Sequence, residues 1–285
     1  MNKQKIAILV DTCCDVPMEM VKAYGMYVLP VKIIYHDREY LDGIDISAEE
    51  VYRGFDKEIP KTSLPSGEYI EKTLQQIRED GYEKVLAITL SSGLSGTNNI
   101  VSLVAQEFEG LDIFVLDTKN IAIGSGFHAI QAARYIEMGM SFQDIVEKLQ
   151  KDIPRSKVFF VVSTLEYLQK GGRIGLVASL FGNALNLKPI ISCNEEGIYY
   201  TVAKVRGRKQ SISKLMEIAK KEIGKYKRYN IAIVHGDAQE AADEVIQQMK
   251  DQMPGMEVFV EGQISPVLGV HTGPGLVGIA VEGLD

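Results

Sequence analysis

Cysteine is scarce in this chain: 3 among 285 residues, at Cys13, Cys14 and Cys193. An odd count leaves one thiol over, and a vicinal pair is poorly placed for an ordinary disulfide, so the cysteines do not read as a disulfide framework. No Cys/His group has the spacing of a zinc site. Basic residues are in the minority, 31 against 38 acidic, for a net charge of −7. That balance argues against a general nucleic-acid binder, because neutralising phosphates needs a basic face. The opening MNKQKIAILVDT offers five apolar residues before Asp11, too few for the apolar region of a signal peptide or for a membrane span. A reduced, cytoplasmic setting is the expectation. Repeats, low-complexity tracts and long linkers are missing as well.

What is present is globular: 46% hydrophobic and 24% charged residues, enough for one large domain or two ordinary ones with a sizeable core. Short apolar runs alternate with amphipathic segments. Strands are predicted at residues 5–10, 27–34, 84–90, 113–117 and 157–163, then at 189–193, 198–205, 230–234, 257–261 and 275–281. Continuous Val/Ile/Leu runs between helices point to strands buried on both faces, as in parallel sheets. Ser47-Ala48-Glu49-Glu50 fits a capping box, and Ser141 and Ser66 are natural N-caps. Ile100, Leu103, Val104 and Phe108 fall on one helical face, and a helix over 122–138 ends at Gly139. Near residue 190 the pattern changes: two strands joined by Asn194-Glu195-Glu196-Gly197 form an antiparallel hairpin, and helices over 209–223 and 238–253 follow. The fold class read from this is α/β, with an N-terminal parallel-sheet domain over 1–155 and a C-terminal mixed α+β domain over 156–285.

Several loops could carry chemistry. SSGLSGTNN, residues 91–99, follows a buried strand and opens a helix; hydroxyls and amides at such a turn suit either a helix cap or an anion. It lacks the lysine of a P-loop, and Thr97 stands where a nucleophile elbow needs its second glycine. Thr62-Ser63-Leu64-Pro65-Ser66 is a second hydroxyl-rich turn that is equally a routine helix entry. His271-Thr272-Gly273-Pro274-Gly275 joins a histidine to a tight turn that lets a ligand approach backbone. Gly171-Gly172-Arg173 can bring a guanidinium to a carboxylate or phosphate. Arg206-Gly207-Arg208-Lys209 is a basic turn for water, a phosphate or a partner. Asp11 and Asp15 read as a turn and an N-cap. Gly124-Ser125-Gly126 imitates a dinucleotide fingerprint but lies inside a helical pattern.

Taken in order, Asp11-Thr12, Thr62-Ser63-Leu64-Pro65-Ser66, Ser91-Ser92-Gly93-Leu94-Ser95-Gly96-Thr97, Gly171-Gly172-Arg173-Ile174, Lys188-Pro189-Ile190 and His271-Thr272-Gly273-Pro274-Gly275 resemble the motifs of the DegV family. These are fatty-acid-binding proteins that serve as the acyl-carrying subunit of bacterial fatty acid kinase (FakB). The likeness covers essentially the whole chain; Thr12 in place of serine and Asn98 in place of an aromatic are its main departures.

The resemblance implies a two-domain DegV-like fold with one long-chain fatty acid, such as palmitate, stearate or oleate, between the domains. Carried over by position, Thr62, Ser92 and His271 would contact the carboxylate, Ser92 most closely, with Ser63, Ser91, Ser95, Arg173 and Thr272 beside them. A separate ATP-dependent kinase subunit would phosphorylate the bound acid to acyl phosphate. No cofactor or metal is implied, nucleic acid is not a partner, and a transient contact with a membrane surface would collect the ligand. Phe127, Ile130, Leu180 and Phe181 are candidate tunnel liners, with core packing the plainer reading for each. Two competing readings stay open: a serine hydrolase or acyltransferase using Ser92 or Ser95 with His271 and Asp11, and a nucleotide-dependent kinase, although its signature motifs are missing.

Overall fold

The computed structural model describes residues 2–180, 187–250 and 253–285. The first strand, β1 (Ile6–Asp11), is buried along its whole length, and Asp11 ends it by accepting the amide of Cys13 at 2.9 Å. Helix α1 (Met18–Tyr24) returns the chain to β2 (Tyr27–Leu29). The apolar run over 27–34 is then broken at Pro30, which has no N–H for a ladder. The run therefore yields two strands in two sheets, and the second is β3 (Lys32–Ile34). After β4 (Glu39–Leu41), α2 (Ala48–Gly54) starts on the expected capping box, with Ser47 and Glu50 each accepting the other's amide. Next comes β5 (Lys61–Ser63), where a turn was expected; it pairs antiparallel with β3, Thr62 opposite Ile33.

Ser66 caps α3 (Gly67–Glu79), and β6 (Lys84–Thr89) follows. Helix α4 (Thr97–Glu107) buries Thr97 and Val101, while Leu103 is 53% exposed. The stripe that meets the sheet is thus 97, 101, 104 and 108, one position off the face that includes Leu103. With β7 (Asp112–Asp117) the first sheet is complete: four parallel strands in the order β2-β1-β6-β7. Helix α5 (Ile123–Glu137) is buried on almost every side, as a helix packed between two sheets must be. Ser141 caps α6 (Phe142–Asp152) as expected.

The second sheet starts with β8 (Ser156–Val161), and the short α7 (Glu166–Lys170) follows it. Strands β9 (Leu187–Cys193) and β10 (Tyr199–Arg206) form the expected hairpin, with Tyr199 opposite Cys193. After α8 (Arg208–Ile223), β11 (Tyr229–Gly236), α9 (Gln239–Lys250) and β12 (Met256–Gln263), α10 (Pro266–Thr272) leads into β13 (Leu276–Gly283). The strands lie in the order β10-β9-β8-β13-β11-β12; β11 and β12 run parallel, and the other neighbours are antiparallel. The parallel N-terminal sheet and the mixed C-terminal sheet are those expected from the sequence.

One hydrophobic core straddles the two regions. Cys13, Leu90, Ile123, Phe127 and Ile130 on one side pack with Val158, Phe160 and Ala280 on the other. Phe127 and Ile130 thus belong to the core; the side chain of Leu180 and the whole of Phe181 lie outside the described residues. Below α5, His128 faces Glu282 with 3.7 Å between Nδ1 and Oε1, and Asn230 donates to the other oxygen of Glu282 at 2.8 Å. Burial there holds His128 down at about 4 and pushes the Glu282 carboxyl up to about 8.

Candidate functional site

A cavity of about 720 Å³, open space at its mouth included, lies between the two sheets. Its walls are mostly apolar: Leu90 and Ile121 from the N-terminal region, Phe160 and Leu276 from the C-terminal one, Val267 and Leu268 from α10. Thr62, Ser95, Arg173, His271 and Thr272 also line it, and these five are neighbours.

Their geometry follows from where the elements end. Thr62 is the middle residue of β5 and His271 lies near the end of α10; Thr62 Oγ1 and His271 Nε2 are 2.8 Å apart. Burial, followed by the nearby Arg173 charge, holds His271 down at about 4, so the ring is neutral at ordinary pH. Its Nδ1 is buried without a hydrogen-bond partner among the described residues and sits against Gly171, where a Cβ would overlap it. Glycine at 171 is what lets the backbone pass under the ring. Arg173 donates from Nε to Leu94 O at 3.2 Å and from Nη1 to Gly171 O at 2.7 Å. These bonds tie the guanidinium to both the serine loop and the glycine turn. Among the described residues no carboxylate forms an ion pair with Arg173, and none lines the cavity.

The serine loop divides its labour. Ser91 is fully buried and donates to Gly197 O at 2.9 Å, locking the loop onto the β9–β10 turn; Gly93 packs so closely on that turn that a Cβ would sit 2.8 Å from Glu196 O. Ser92 Oγ accepts from Lys119 Nζ at 3.1 Å, and its amide donates to Asp117 Oδ1 at 3.1 Å. The amides of Ser91, Gly93, Leu94, Ser95 and Thr97 also have acceptors within the protein. What the loop offers the cavity is therefore the Ser95 hydroxyl, 2.9 Å from Thr97 Oγ1. Ser63 is exposed on β5, beside Thr62 but outside the lining. Thr272 lines the cavity while donating back to Leu268 O at 2.9 Å. The structure thus brings together Thr62, Ser95, Arg173, His271 and Thr272, and places Ser63, Ser91 and Ser92 behind or beside them.

The cavity also takes residues outside the expected set. Ile264, Val267 and Leu268 line it beside His271 and Thr272; the helical spacing of these positions is legible in the sequence, although α10 itself begins at Pro266. Tyr199 and Cys13 have no local signal, since only tertiary packing turns them inward. Burial raises both of their pKa values well above ordinary.

A Ser–His–Asp relay is not formed. His271 pairs with Thr62 rather than a serine, its Nδ1 meets no carboxylate among the described residues, and Asp11 is spent on the amides of Cys13 and Leu90 at 2.9 Å each. Among the described residues no group of three His, Cys, Asp or Glu side chains could hold a metal ion, and no helix is long and apolar enough to cross a membrane. The basic turn after β10 is partly committed: Arg208 donates from Nη2 to Gly275 O at 2.6 Å.

Comparison with known proteins agrees with this architecture. A family model described as an uncharacterised protein of the DegV family matches residues 5–283. A DegV domain-containing protein of Clostridium acetobutylicum is 43% identical over 278 residues, covering 98% of this chain and 99% of its own. Among solved structures, a DegV family protein from Thermus thermophilus described for its fatty acid binding superposes with a TM-score of 0.92 at 27% identity over 100% of both chains. A stearic acid-binding protein from Eubacterium ventriosum superposes with a TM-score of 0.87 at 29% identity over 98% of each chain.

Proposed function

The chain belongs to the DegV family, and we propose that it binds one long-chain fatty acid, such as palmitate, stearate or oleate, in the cavity between its two sheets. We take residues 1–155 and 156–285 as the two domains that enclose it. The carboxylate sits at Thr62, Ser95, Arg173, His271 and Thr272, with Ser63, Ser91 and Ser92 as the supporting shell, and the tail lies along the apolar walls. The observation that carries this reading is the makeup of the cavity: apolar over most of its lining, with one polar end holding a guanidinium and hydroxyls but no carboxylate among the described residues. Such an end lacks an anion, and a cavity of this kind wants that anion attached to a hydrocarbon.

The hydrogen bonds explain how a neutral histidine serves an anion. With Nδ1 as the unprotonated nitrogen, His271 Nε2–H donates to Thr62 Oγ1, which frees the Thr62 hydroxyl hydrogen for the ligand. The alternative tautomer would bury an N–H without an acceptor, the rarer and costlier state. Arg173 supplies the opposite charge, and a forked guanidinium suits a carboxylate or the larger acyl phosphate alike. The tail supplies most of the affinity: about fifteen buried methylenes at ~0.8 kcal/mol each give roughly 12 kcal/mol, from which ordering costs are subtracted.

In this role the protein is a carrier. It presents the carboxylate to a separate ATP-dependent kinase subunit for phosphorylation to acyl phosphate, and it collects its ligand at a membrane surface. Support for this part is the family resemblance and the position of the head-group cluster at one end of the cavity. Denaturing extraction and mass spectrometry of protein made in bacteria should find about one long acyl chain per monomer. Repeated preparations without any fatty acid would overturn the binding reading, and failure of a matching kinase subunit to form acyl phosphate on the loaded protein would overturn the carrier role.

A further inference from the structure

Resting on the acyl reading of the cavity, we infer that Ile264, with Val234 opposite it, is the end stop that sets the longest chain this protein accepts. The lining stripe of α10 and the residues leading into it runs from the head group inward. His271 and Thr272 stand at the polar end, Val267 and Leu268 follow, and Ile264, just ahead of the helix, comes last. At ~1.5 Å of rise per residue, the helical stretch from Pro266 to His271 spans roughly 7 Å, and Ile264 lies two residues beyond its start. Cys13, Val31 and Val234 also line the cavity, and Asp42 ties Val31 to α10: its amide donates to Val31 O at 2.9 Å while its carboxylate accepts from Val267 N at 2.9 Å.

Behind this end lies a second groove of about 1450 Å³, solvent space included. Among the described residues its lining includes Asp11, Asp15, Asp42, Asp45, Glu50 and Glu261 but no Lys, Arg or His, and it includes Val234 and Ile264 as well. Those two residues therefore face both spaces, and the partition there is one side chain thick. The groove also carries apolar residues such as Val10, Val21, Val28 and Val260, so what keeps a hydrocarbon tail out of it is the wall itself.

The partition is also fixed in place. The Ile264 amide donates to His235 O at 2.8 Å, beside Val234. Asp15 accepts from Ser265 N at 3.1 Å and Asp42 from Val267 N at 2.9 Å, both within three residues of Ile264. Ile264 and Val234 are 3% and 5% exposed. A wall held at three nearby points does not yield to one more methylene, which is the condition for reading chain length.

The test uses delipidated full-length protein and a saturated series from myristate to arachidate, with binding measured by displacement of a fluorescent fatty acid. For wild type, affinity rises with length and then drops by about tenfold or more for each excess methylene once the wall is met. Ile264→Ala removes three carbons from the wall and should move that drop to longer acids, so that arachidate gains at least about tenfold relative to palmitate. Ile264→Phe should move it to shorter ones, and Val234→Ala should act like Ile264→Ala from the other side, so misfolding of one variant leaves the others to decide. Unchanged length profiles in folded variants would overturn the end stop while leaving the acyl site intact. Absence of saturable fatty-acid binding by the wild type would instead overturn the acyl reading, and the end stop with it.

Discussion

The close approach of Gly171 to His271 gives the head-group site a sharp mechanical test. A Cβ added at residue 171 would overlap His271 Nδ1 and lie 3.1 Å from Tyr167 O. The backbone at Gly171 has φ −76°, ordinary for any residue, so Gly171→Ala costs nothing in backbone strain and everything in contact. Backbone cannot move easily here, because Gly171 N donates to Tyr167 O at 2.9 Å and Gly171 O holds Arg173. The imidazole must swing away and give up its 2.8 Å bond to Thr62. Overpacking costs about 1–3 kcal/mol, and the loss of a buried hydrogen bond costs about the same again. Thermal unfolding should therefore fall by about 2–4 °C per kcal/mol lost. With Thr62 no longer oriented, a charge-assisted bond to the carboxylate is lost, which weakens palmitate binding by roughly 10- to 100-fold. The neighbouring residue is the control. Gly172 has φ +71°, and a Cβ added there would meet no described atom within 4 Å. Gly172→Ala therefore costs only about 1–2 kcal/mol of left-handed strain and leaves binding unchanged. Isothermal titration with palmitate, alongside the His271 ring resonances by NMR, reads both outcomes. Wild-type affinity with an unmoved His271 in Gly171→Ala, or equal weakening by both alanines, would refute the reasoning.

Thr62→Val keeps the shape and removes the hydroxyl, so palmitate should bind roughly 10- to 100-fold more weakly while methyl palmitate, without the charge, changes little; equal losses for the two ligands would show that Thr62 only shapes the pocket. Glu282 holds its proton up to about 8 in the fold against 4.5 when unfolded. Between those values the unfolded chain binds fewer protons, so this residue lowers stability as pH rises. Glu282→Gln should therefore gain on wild type steadily from pH 4.5 to 8 in urea denaturation, and a pH-independent difference would contradict the shift. The opposite slope belongs to His128 and His271, both held at about 4, whose contribution to stability is lost as pH falls from 6.5 toward 4. All three thiols are buried, with pKa values raised by burial, so a thiol reagent should label the native protein far more slowly than the urea-unfolded chain. Prompt labelling of native Cys13 would place it at an open surface instead of the cavity wall.

Most of the fold could be read from the chain because its strands are continuous apolar runs and its helix starts are chemically marked. Ser47, Ser66 and Ser141 each cap the helix that their position announces. The readings that changed are those where apolarity was local but its consequence was not. The 27–34 run is uniformly strand-like, yet Pro30 divides it between two sheets. Lys61-Thr62-Ser63 has no apolar residue to signal a strand; it becomes one because β3 offers an edge, with Ile34 opposite Lys61 and Lys32 opposite Ser63. Leu103 fits a helical face on paper but points to solvent, because the sheet meets α4 one position away.

The site shows the same limit more strongly. Ser91, Ser92 and Ser95 are indistinguishable as residue types, and the loop's course alone sends one to the hairpin turn, one to Lys119 and one to the cavity. Thr62 comes from β5, Ser95 from the turn before α4, Arg173 from the turn after α7 and His271 from α10. No two of these elements are adjacent in the chain; two come from the region of the parallel N-terminal sheet and two from that of the mixed C-terminal sheet. The proposed carboxylate site therefore exists only when the two regions are docked, and the bonds that build it are among those that hold the regions together: Thr62 to His271, Arg173 to Leu94, Ser91 to Gly197. A ligand bridging the same groups adds to that docking by mass action, since it binds the assembled state and not the open one. Stability and head-group recognition are thus coupled through the seam, so removing one of these bridging bonds should weaken both.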